Sequence, residues 1–358
     1  MTQQLREIGQ SLWLDGITRG SLNNGTLKQF IEELSVTGLT TNPIAPEQAI
    51  KNSKSYDAAI RKKLKEDCVG EKLLVELVLE DIRHAADLFR PVYDQTDGVD
   101  GWVSLDVSPL IARESASTLS ATKELYALVG RPNVLIKLPG TGANLTAIEE
   151  AISIGVPVNV TQLFSREQYL AAAESFLKGI ERRINTGLKP NVSSVASMCV
   201  SQWDIAVGDK VPHALRNRLG IAIARRTYRA WRELLRSPRW ERAYNAGARP
   251  QRLLWTDLGA KDSNTSEAIY VEALAAPLTV LSIPEMALQD FGEHCAIDAM
   301  LPPDGGDCEI ILADFVRFGT DIEFLAEEIQ DQAISSFVKS WIGSITAIAR
   351  KSATLTQD

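Results

Sequence analysis

The segment Asn133-Val134-Leu135-Ile136-Lys137-Leu138-Pro139-Gly140 places one lysine inside an apolar run of strand character. Turn-forming residues bound the run on both sides, which is typical of a buried strand in a parallel sheet. Burial disfavours the charged form of a lysine, and a neutral lysine is nucleophilic towards carbonyl carbons and forms Schiff bases. Alternatively, Lys137 extends from the strand end to an ordinary ion pair. The first interpretation predicts an active-site lysine and the second a structural one.

Eight short strand-like segments recur along the chain and alternate with segments of helical periodicity. The strand-like segments cover residues 11–15, 36–43, 101–107, 134–139, 156–163, 195–200, 253–258 and 278–283. This alternation predicts a parallel sheet with covering helices, and eight units is the number that closes a barrel. The predicted fold class is therefore α/β, a (β/α)8 TIM barrel. We expect residues 1–358 to form one domain. Its C-terminal part, about 305–358, is predicted to hold helices, including 321–332 and 333–350, that pack outside the barrel or over one mouth.

Period-two alternation predicts which strand residues point into the barrel, because residues two apart in a strand share a face. Near the carboxyl end of most strands, apolar residues flank a polar one. The polar residues predicted to point inward are Asp15, Thr40, Asn42, Ser104, Asp106, Lys137, Asn159, Thr161, Ser197 and Asp257. Barrel enzymes hold their active sites at the carboxyl ends of the strands. The convergence of these side chains on Lys137 favours an active site over an isolated structural ion pair.

The composition limits the classes of protein to which the chain belongs. Its 358 residues, 45% of them hydrophobic and 23% charged, are ordinary for a globular protein. A formal net charge of −8 argues against nucleic acid or an anionic membrane as a partner. No apolar run is long enough to span a bilayer and the N-terminus lacks a signal-peptide pattern, so a cytoplasmic protein is expected. The scattered cysteines and histidines predict reduced thiols and no metal site.

The ordered motifs of the chain resemble those of the transaldolase family, in its longer bacterial form. The resemblance is carried by Leu12-Trp13-Leu14-Asp15, Thr40-Thr41-Asn42-Pro43, Val103-Ser104-Leu105-Asp106-Val107, the lysine segment, Asn159-Val160-Thr161-Gln162 and Ser194-Val195-Ala196-Ser197. It implies a (β/α)8 barrel that needs no metal and no organic cofactor. It also implies transfer of a three-carbon dihydroxyacetone unit from a ketose or ketose phosphate to an aldehyde.

The resemblance implies roles for individual residues. Lys137 would form the Schiff base, and Asp15 would remove and return the proton of the substrate C4 hydroxyl. Asp106 and Thr161 would hold the catalytic water. The residues implied in substrate binding are Thr40, Asn42, Asn159, Ser197, Gln202 and Asp257.

Three positions depart from the family pattern. Asp106 stands where the family ordinarily has glutamate, so this carboxylate is one methylene shorter. Gln202 replaces the arginine that grips the substrate phosphate, and Asp257 replaces a serine that helps to hold it. Charge-assisted hydrogen bonds contribute about 1.5 to 3 kcal/mol each. Their loss predicts weaker binding of a phosphorylated substrate, unless Lys261 or Arg225 supplies the missing charge.

Three functions stay open at this point. The first is a transaldolase-type Schiff-base enzyme with altered substrate specificity, and the second is an ordinary transaldolase of the pentose phosphate pathway. The third is a catalytically weak barrel that serves as a binding or structural protein, which the retention of Lys137 and Asp15 disfavours. The expected partners are sugars or sugar phosphates, with neither nucleic acid nor membrane, and a homodimer is one expected assembly.

Overall fold

Eight parallel strands form a closed barrel in which each strand pairs with its neighbours along the chain. The computed structural model describes residues 2–41, 44–259, 268–288, 297 and 299–357. The strands are β1 Ser11–Asp15, β2 Val36–Thr40, β3 Trp102–Asp106, β4 Val134–Pro139, β5 Val158–Leu163, β6 Ser194–Cys199, β7 Arg252–Thr256 and β8 Val280–Pro284. Each predicted strand overlaps an observed one, so the predicted (β/α)8 barrel is confirmed.

Helices cover the outside of the barrel and follow the strands in the chain. They are α1 Thr2–Glu7, α2 Arg19–Asn23, α3 Thr26–Glu33, α4 Ile44–Asn52, α5 Asp57–Leu64, α6 Gly70–Gln95, α7 Ser115–Val129, α8 Leu145–Ser153, α9 Arg166–Asn185, α10 Gln202–Val207, α11 Leu219–Leu235, α12 Pro238–Asn245, α13 Ala268–Ala273, α14 Cys308–Arg317 and α15 Ile322–Gln357. Within the described ranges, no helix is both long and apolar enough to cross a membrane.

The interior of the barrel is divided into an apolar half and a polar half. A separate buried cluster fills the half near the amino ends of the strands, and its members are Trp13, Trp102, Leu135, Val195, Leu254 and Val280. Their neighbours in sequence, such as Leu12 and Leu14 of β1, belong instead to the apolar layer shared with the helices. The alternation predicted from the sequence is therefore present, and it places the predicted inward polar residues towards the carboxyl ends.

The C-terminal helix α15 lies over the mouth that contains the carboxyl ends of the strands. The indole nitrogen of Trp341 donates to Glu71 Oε1 at 2.7 Å, and Gln330 Nε2 donates to the backbone oxygen of Gln162 at 2.8 Å. The sequence analysis predicted two helical segments here, but they form one continuous helix. The prediction of two segments was wrong because the junction, Gln332-Ala333, contains no glycine or proline to interrupt the helix.

Strand β2 contains a glycine where the largest side chain of the barrel interior needs space. Gly38 pairs with Trp13 across β1 and β2, and Trp13 is completely buried. A β-carbon built on Gly38 would lie 2.5 Å from Trp13 Nε1, well inside van der Waals contact. Trp13 therefore fits into the apolar half of the barrel only because residue 38 has no side chain.

We expect Gly38→Ala to lower the free energy of unfolding by about 1 to 3 kcal/mol, the usual cost of overpacking a rigid core. Chemical denaturation of both proteins measures the difference. Gly142→Ala is the matched control, because a β-carbon there meets nothing within 4 Å. Equal stability of Gly38→Ala and wild type would show that Trp13 has room to move.

Candidate active site

A cavity of about 490 Å³ opens at the carboxyl ends of the strands, beneath helix α15. Every predicted site residue that the structure describes lines this cavity. Those residues are Asp15, Thr40, Asp106, Lys137, Asn159, Thr161, Ser197, Gln202 and Asp257. Asn42, the remaining predicted site residue, lies outside the described residues. The barrel thus brings together side chains from strands that are far apart in the chain.

Lys137 and Asp106 form an ion pair inside the cavity. The register of β3 and β4 places the two residues side by side, and Lys137 Nζ lies 3.0 Å from Asp106 Oδ1. Lys137 Nζ also donates to the backbone oxygen of Thr41 at 2.7 Å. The side chains of Lys137 and Asp106 are only 13% and 10% exposed. The adjacent strand thus supplies a carboxylate that pairs with the lysine, and the pair lies in the cavity.

Asp15 is the last residue of β1 and is held by the neighbouring strand. Thr40 donates its hydroxyl to Asp15 Oδ1 at 3.1 Å. Burial raises the pKa of Asp15 above its ordinary value, and the negative charges of Asp257 and Asp106 raise it further, while Lys137 and the Thr40 hydrogen bond lower it. Since burial is the largest effect, this carboxyl takes up a proton more readily than an ordinary aspartate.

A hydrogen-bonded chain of three inward side chains forms one wall of the cavity. Ser197 donates its hydroxyl to Asn159 Oδ1 at 2.6 Å, and Asn159 Nδ2 donates to Ser104 Oγ at 3.1 Å. All three residues are buried. The two bonds fix the orientation of the Asn159 amide, so its position relative to a bound substrate is set before binding.

Gln202 begins the short helix α10, and a buried carboxylate on that helix fixes its position. Asp204 accepts hydrogen bonds from the backbone nitrogens of Leu219 and Gly220 at 2.9 and 3.2 Å and from the Tyr270 hydroxyl at 3.0 Å. Burial raises the pKa of Asp204 to about 6 despite these donors. The contacts join α10 to α11 and α13, and they hold Gln202 at the cavity wall.

Asp257 reaches the cavity for a different reason from the one predicted. The inward residues of β7 are Leu254 and Thr256, so alternation alone would place Asp257 outside the barrel. The strand ends at Thr256, and Asp257 has a left-handed backbone with a φ of 55°. The change of backbone direction, rather than strand periodicity, brings Asp257 to the cavity, where its charge acts on Asp15.

Several lining residues were not predicted from the sequence. They are Thr41, Gln162, Phe164, Cys199, Leu254 and Thr256 of the barrel, with Ile329, Gln332, Ala333, Ser336, Phe337 and Ser340 of α15. In α15 the uncharged polar residues Gln332, Ser336 and Ser340 are spaced by four, so they lie on one face of the helix. That spacing is visible in the sequence, but nothing in it indicates that this face covers the barrel mouth.

The described walls of the cavity carry more negative than positive charge. Among the lining residues that the structure describes, the carboxylates are Asp15, Asp106 and Asp257 and the one cation is Lys137. Arg225, one of the two side chains considered as substitutes for a phosphate-binding arginine, pairs with Asp307 at 2.9 Å. Lys261, the other, lies outside the described residues.

Comparison with known proteins shows the family to which the chain belongs. Residues 12–348 match the family model described as Transaldolase/Fructose-6-phosphate aldolase. The chain belongs to this transaldolase family. It is 37% identical to the transaldolase of Thermobifida fusca over 98% of this chain and 97% of that protein. It is 37% identical to the transaldolase of Arthrobacter sp. strain FB24, over 95% and 94% of the two chains, and 31% identical to transaldolase 2 of Nostoc punctiforme, over 97% and 96%.

Membership of the transaldolase family makes the protein a transaldolase-type transferase. The resemblance inferred from the motifs is thereby confirmed along nearly the whole chain. In the described part of the chain, no group of three or more His, Cys, Asp or Glu side chains is placed to hold a metal ion.

The raised pKa of Asp15 predicts that this residue costs stability at neutral pH. Folding raises the pKa of this carboxyl, so the protonated form favours the folded state. The contribution to stability is fully present below the pKa in the unfolded chain, about 3.9. It is lost as the pH rises through the higher pKa in the folded protein. We therefore expect Asp15→Asn to raise the melting temperature at pH 7, with a gain that shrinks as the pH falls towards about 4.

Thermal unfolding of both proteins over this pH range measures the effect. Asp106→Asn is the contrasting variant, because it leaves Lys137 buried without its carboxylate and should lower the melting temperature at pH 7. A lower melting temperature for Asp15→Asn at pH 7 would contradict this explanation. It would mean that attraction to Lys137, rather than burial, has the larger effect on the pKa of Asp15.

Proposed function

We propose that this transaldolase-family protein forms a Schiff base between Lys137 and the C2 carbonyl of a ketose. The observation that carries the proposal is the Lys137–Asp106 pair at 3.0 Å, in one cavity with Asp15. Transfer of a proton from the Lys137 ammonium to Asp106 leaves an electron pair on Nζ that attacks C2. Loss of water from the resulting carbinolamine gives an iminium ion.

Cleavage of the C3–C4 bond is assigned to Asp15 together with this iminium ion. Asp15 takes the proton of the C4 hydroxyl, the aldehyde leaves, and the electrons of the C3–C4 bond move into the iminium nitrogen. The three-carbon enamine then attacks the acceptor aldehyde, and Asp15 returns the proton to the new hydroxyl. A buried carboxyl whose pKa lies above the ordinary value is suited to give a proton back as well as to take it.

The remaining roles follow from position and hydrogen-bonding capacity. Asp106 and Thr161, on neighbouring walls of the cavity, would hold the water that is lost and regained at the iminium carbon. Asn159, fixed by Ser197, would hold hydroxyl groups of the three-carbon intermediate, and Thr40 would keep Asp15 in place. The role of Asn42 in holding substrate hydroxyls stays a prediction from the resemblance.

The distal part of the substrate is proposed to carry little or no negative charge. At an effective dielectric constant of 20, two unit charges about 4 Å apart repel by about 4 kcal/mol. Asp257 would impose such repulsion on a phosphate, and Gln202 offers only amide hydrogen bonds in return. The neutral face of α15, with Gln332, Ser336 and Ser340, suits the hydroxyl groups of an unphosphorylated sugar.

An ordinary transaldolase of the pentose phosphate pathway is the second candidate. It is favoured by the relatives, which are themselves named transaldolases and are 31% to 37% identical. In this case Lys261 would supply the charge that Gln202 lacks. A catalytically weak binding protein is disfavoured, because family membership and the Lys137–Asp106 pair both point to an enzyme.

We expect a ketose donor and borohydride to leave a reduced three-carbon adduct on Lys137, identified by intact mass and peptide mapping. Fructose and fructose 6-phosphate are tested side by side, so that the preferred donor is identified in the same experiment. In Asp15→Asn, the adduct should have the mass of the intact ketose, because the Schiff base forms but the C3–C4 bond is not cleaved.

Lys178→Arg, which changes an exposed lysine, is the matched control and should label like wild type. The absence of a Lys137 adduct across a broad panel of donors would contradict the Schiff-base mechanism. A three-carbon adduct formed equally fast in Asp15→Asn would contradict the role of Asp15 alone.

The combination Gln202→Arg with Asp257→Asn is expected to lower KM for a ketose phosphate by at least about tenfold, with little change in kcat. An arginine offers a charged fork that matches phosphate, and tenfold corresponds to about 1.4 kcal/mol. Asparagine is chosen at residue 257 because it tolerates the left-handed backbone observed there. The added binding energy acts on the phosphate, far from the reacting carbons, and is equal in the ground state and the transition state. We therefore expect kcat to stay unchanged.

Gln332→Arg is the control, since it adds the same charge at the α15 wall of the cavity. An equal effect of this control would indicate non-specific attraction rather than a phosphate site beside Gln202. A wild-type KM for the ketose phosphate that equals or betters that of the double variant would favour the ordinary transaldolase.

A further inference from the structure

We propose that Thr41 is a positioning residue that turns the Asp106 carboxylate towards Lys137. The Thr41 hydroxyl donates to Asp106 Oδ2 at 2.5 Å, while Asp106 Oδ1 faces Lys137 Nζ at 3.0 Å. The inference rests on the proposed function, because it concerns the carboxylate that takes the proton from Lys137.

The three residues form a closed ring of polar contacts. Thr41 contributes twice, since its hydroxyl binds Asp106 and its backbone oxygen accepts from Lys137 Nζ at 2.7 Å. Thr41 directly follows β2, whereas Asp106 ends β3 and Lys137 lies in β4. The ring therefore ties together three consecutive strands at the cavity, and each member limits the movement of the other two.

A second cavity shows why Asp106 needs to be held. This back cavity of about 40 Å³ has both apolar and polar lining residues. The apolar ones include Ile17, Val78, Ile82 and Trp341, and both Thr41 and Asp106 border it. Asp106 thus borders the active-site cavity and the back cavity. Rotation of the carboxylate about its last bond is otherwise a soft motion, and the Thr41 hydroxyl opposes it.

The effect on the reaction falls on the steps in which Asp106 takes part, the formation and the hydrolysis of the Schiff base. When the N–H bond of the Lys137 ammonium breaks, the proton moves to Asp106 Oδ1 and the electron pair stays on Nζ to attack C2. The electrons of the carbonyl double bond move to its oxygen, which takes the proton held by Asp106, and Nζ then releases one of its two protons to the carboxylate to give the neutral carbinolamine. A carboxylate turned away from Nζ slows this transfer and leaves the later cleavage at C3–C4 unchanged.

The test is the rate of borohydride trapping at Lys137 in a single turnover, measured from pH 6 to 9 with the donor that labels wild type. We expect Thr41→Val, which keeps the shape and removes the hydroxyl, to form the Schiff base about 10- to 100-fold more slowly. The rise of the trapping rate with pH should occur at higher pH in this variant, because hydroxide or buffer base takes the proton in place of Asp106. KM should change less than about threefold. Thr41→Ser, which keeps the hydroxyl, should restore the rate.

Two further variants separate positioning from a general loss of stability. Thr122→Val removes a hydroxyl that is buried but bonds only within α7, so it should trap at the wild-type rate. Adding Thr41→Val to Asp106→Asn should cause no further loss, since the hydroxyl acts through the carboxylate. Thr41→Ala replaces Thr41→Val if the melting temperature shows that the latter is unfolded.

A Thr41→Val variant with the wild-type trapping rate and pH profile would overturn the role of Thr41 while leaving the Schiff-base mechanism intact. The same conclusion follows if Thr41→Ser is as slow as Thr41→Val, or if the losses in Thr41→Val and Asp106→Asn are additive. A wild-type protein that forms no adduct on Lys137 would overturn the proposed function and this inference together.

Discussion

The ion pair between Lys137 and Asp106 is the contact on which the architecture of the site depends. It exists because two adjacent strands of a closed barrel hold their residues in a fixed hydrogen-bonded register. Removing one partner of a buried pair costs about 3 to 5 kcal/mol, because the other charge is left without compensation. The apolar layer at the amino ends, centred on Trp13, and helix α15 at the opposite mouth keep this pair out of bulk water.

The acidic groups in the cavity repel one another, and this repulsion lowers the stability of the folded protein. Three carboxylates and one lysine line its described walls, and Asp15 responds with a raised pKa. Cys199 lies among them, and burial raises the pKa of its thiol well above the usual value, with Asp257 and Asp15 adding to the rise. Cys199 therefore stays neutral and adds no further negative charge. Such destabilising clusters persist at functional sites, where the chemistry requires groups with shifted proton affinities.

The sequence predicts the parts of the fold that obey strand periodicity and fails where periodicity stops. Alternation within β1, β3, β4 and β5 correctly brings Asp15, Asp106, Lys137 and Asn159 to one cavity. Alternation assigns Thr41 outward, yet β2 ends one residue earlier and Thr41 lines the cavity. The long helix α15 was predicted as helical, but its placement over the barrel depends on tertiary contacts, such as the one between Trp341 and Glu71, that no local pattern encodes.

The residues proposed to form the Schiff base and those proposed to contact the distal part of the substrate lie on different kinds of structural element in this barrel. Lys137 and Asp106 lie on strands whose hydrogen-bonded neighbours prevent movement. Gln202 begins a short helix, and Asp257 follows the end of β7, so a new side chain at either position leaves the strand register unchanged. In the proposed function, substitutions there would alter how strongly the distal part of a sugar binds, whereas the geometry of the Lys137–Asp106 pair is set by the barrel itself.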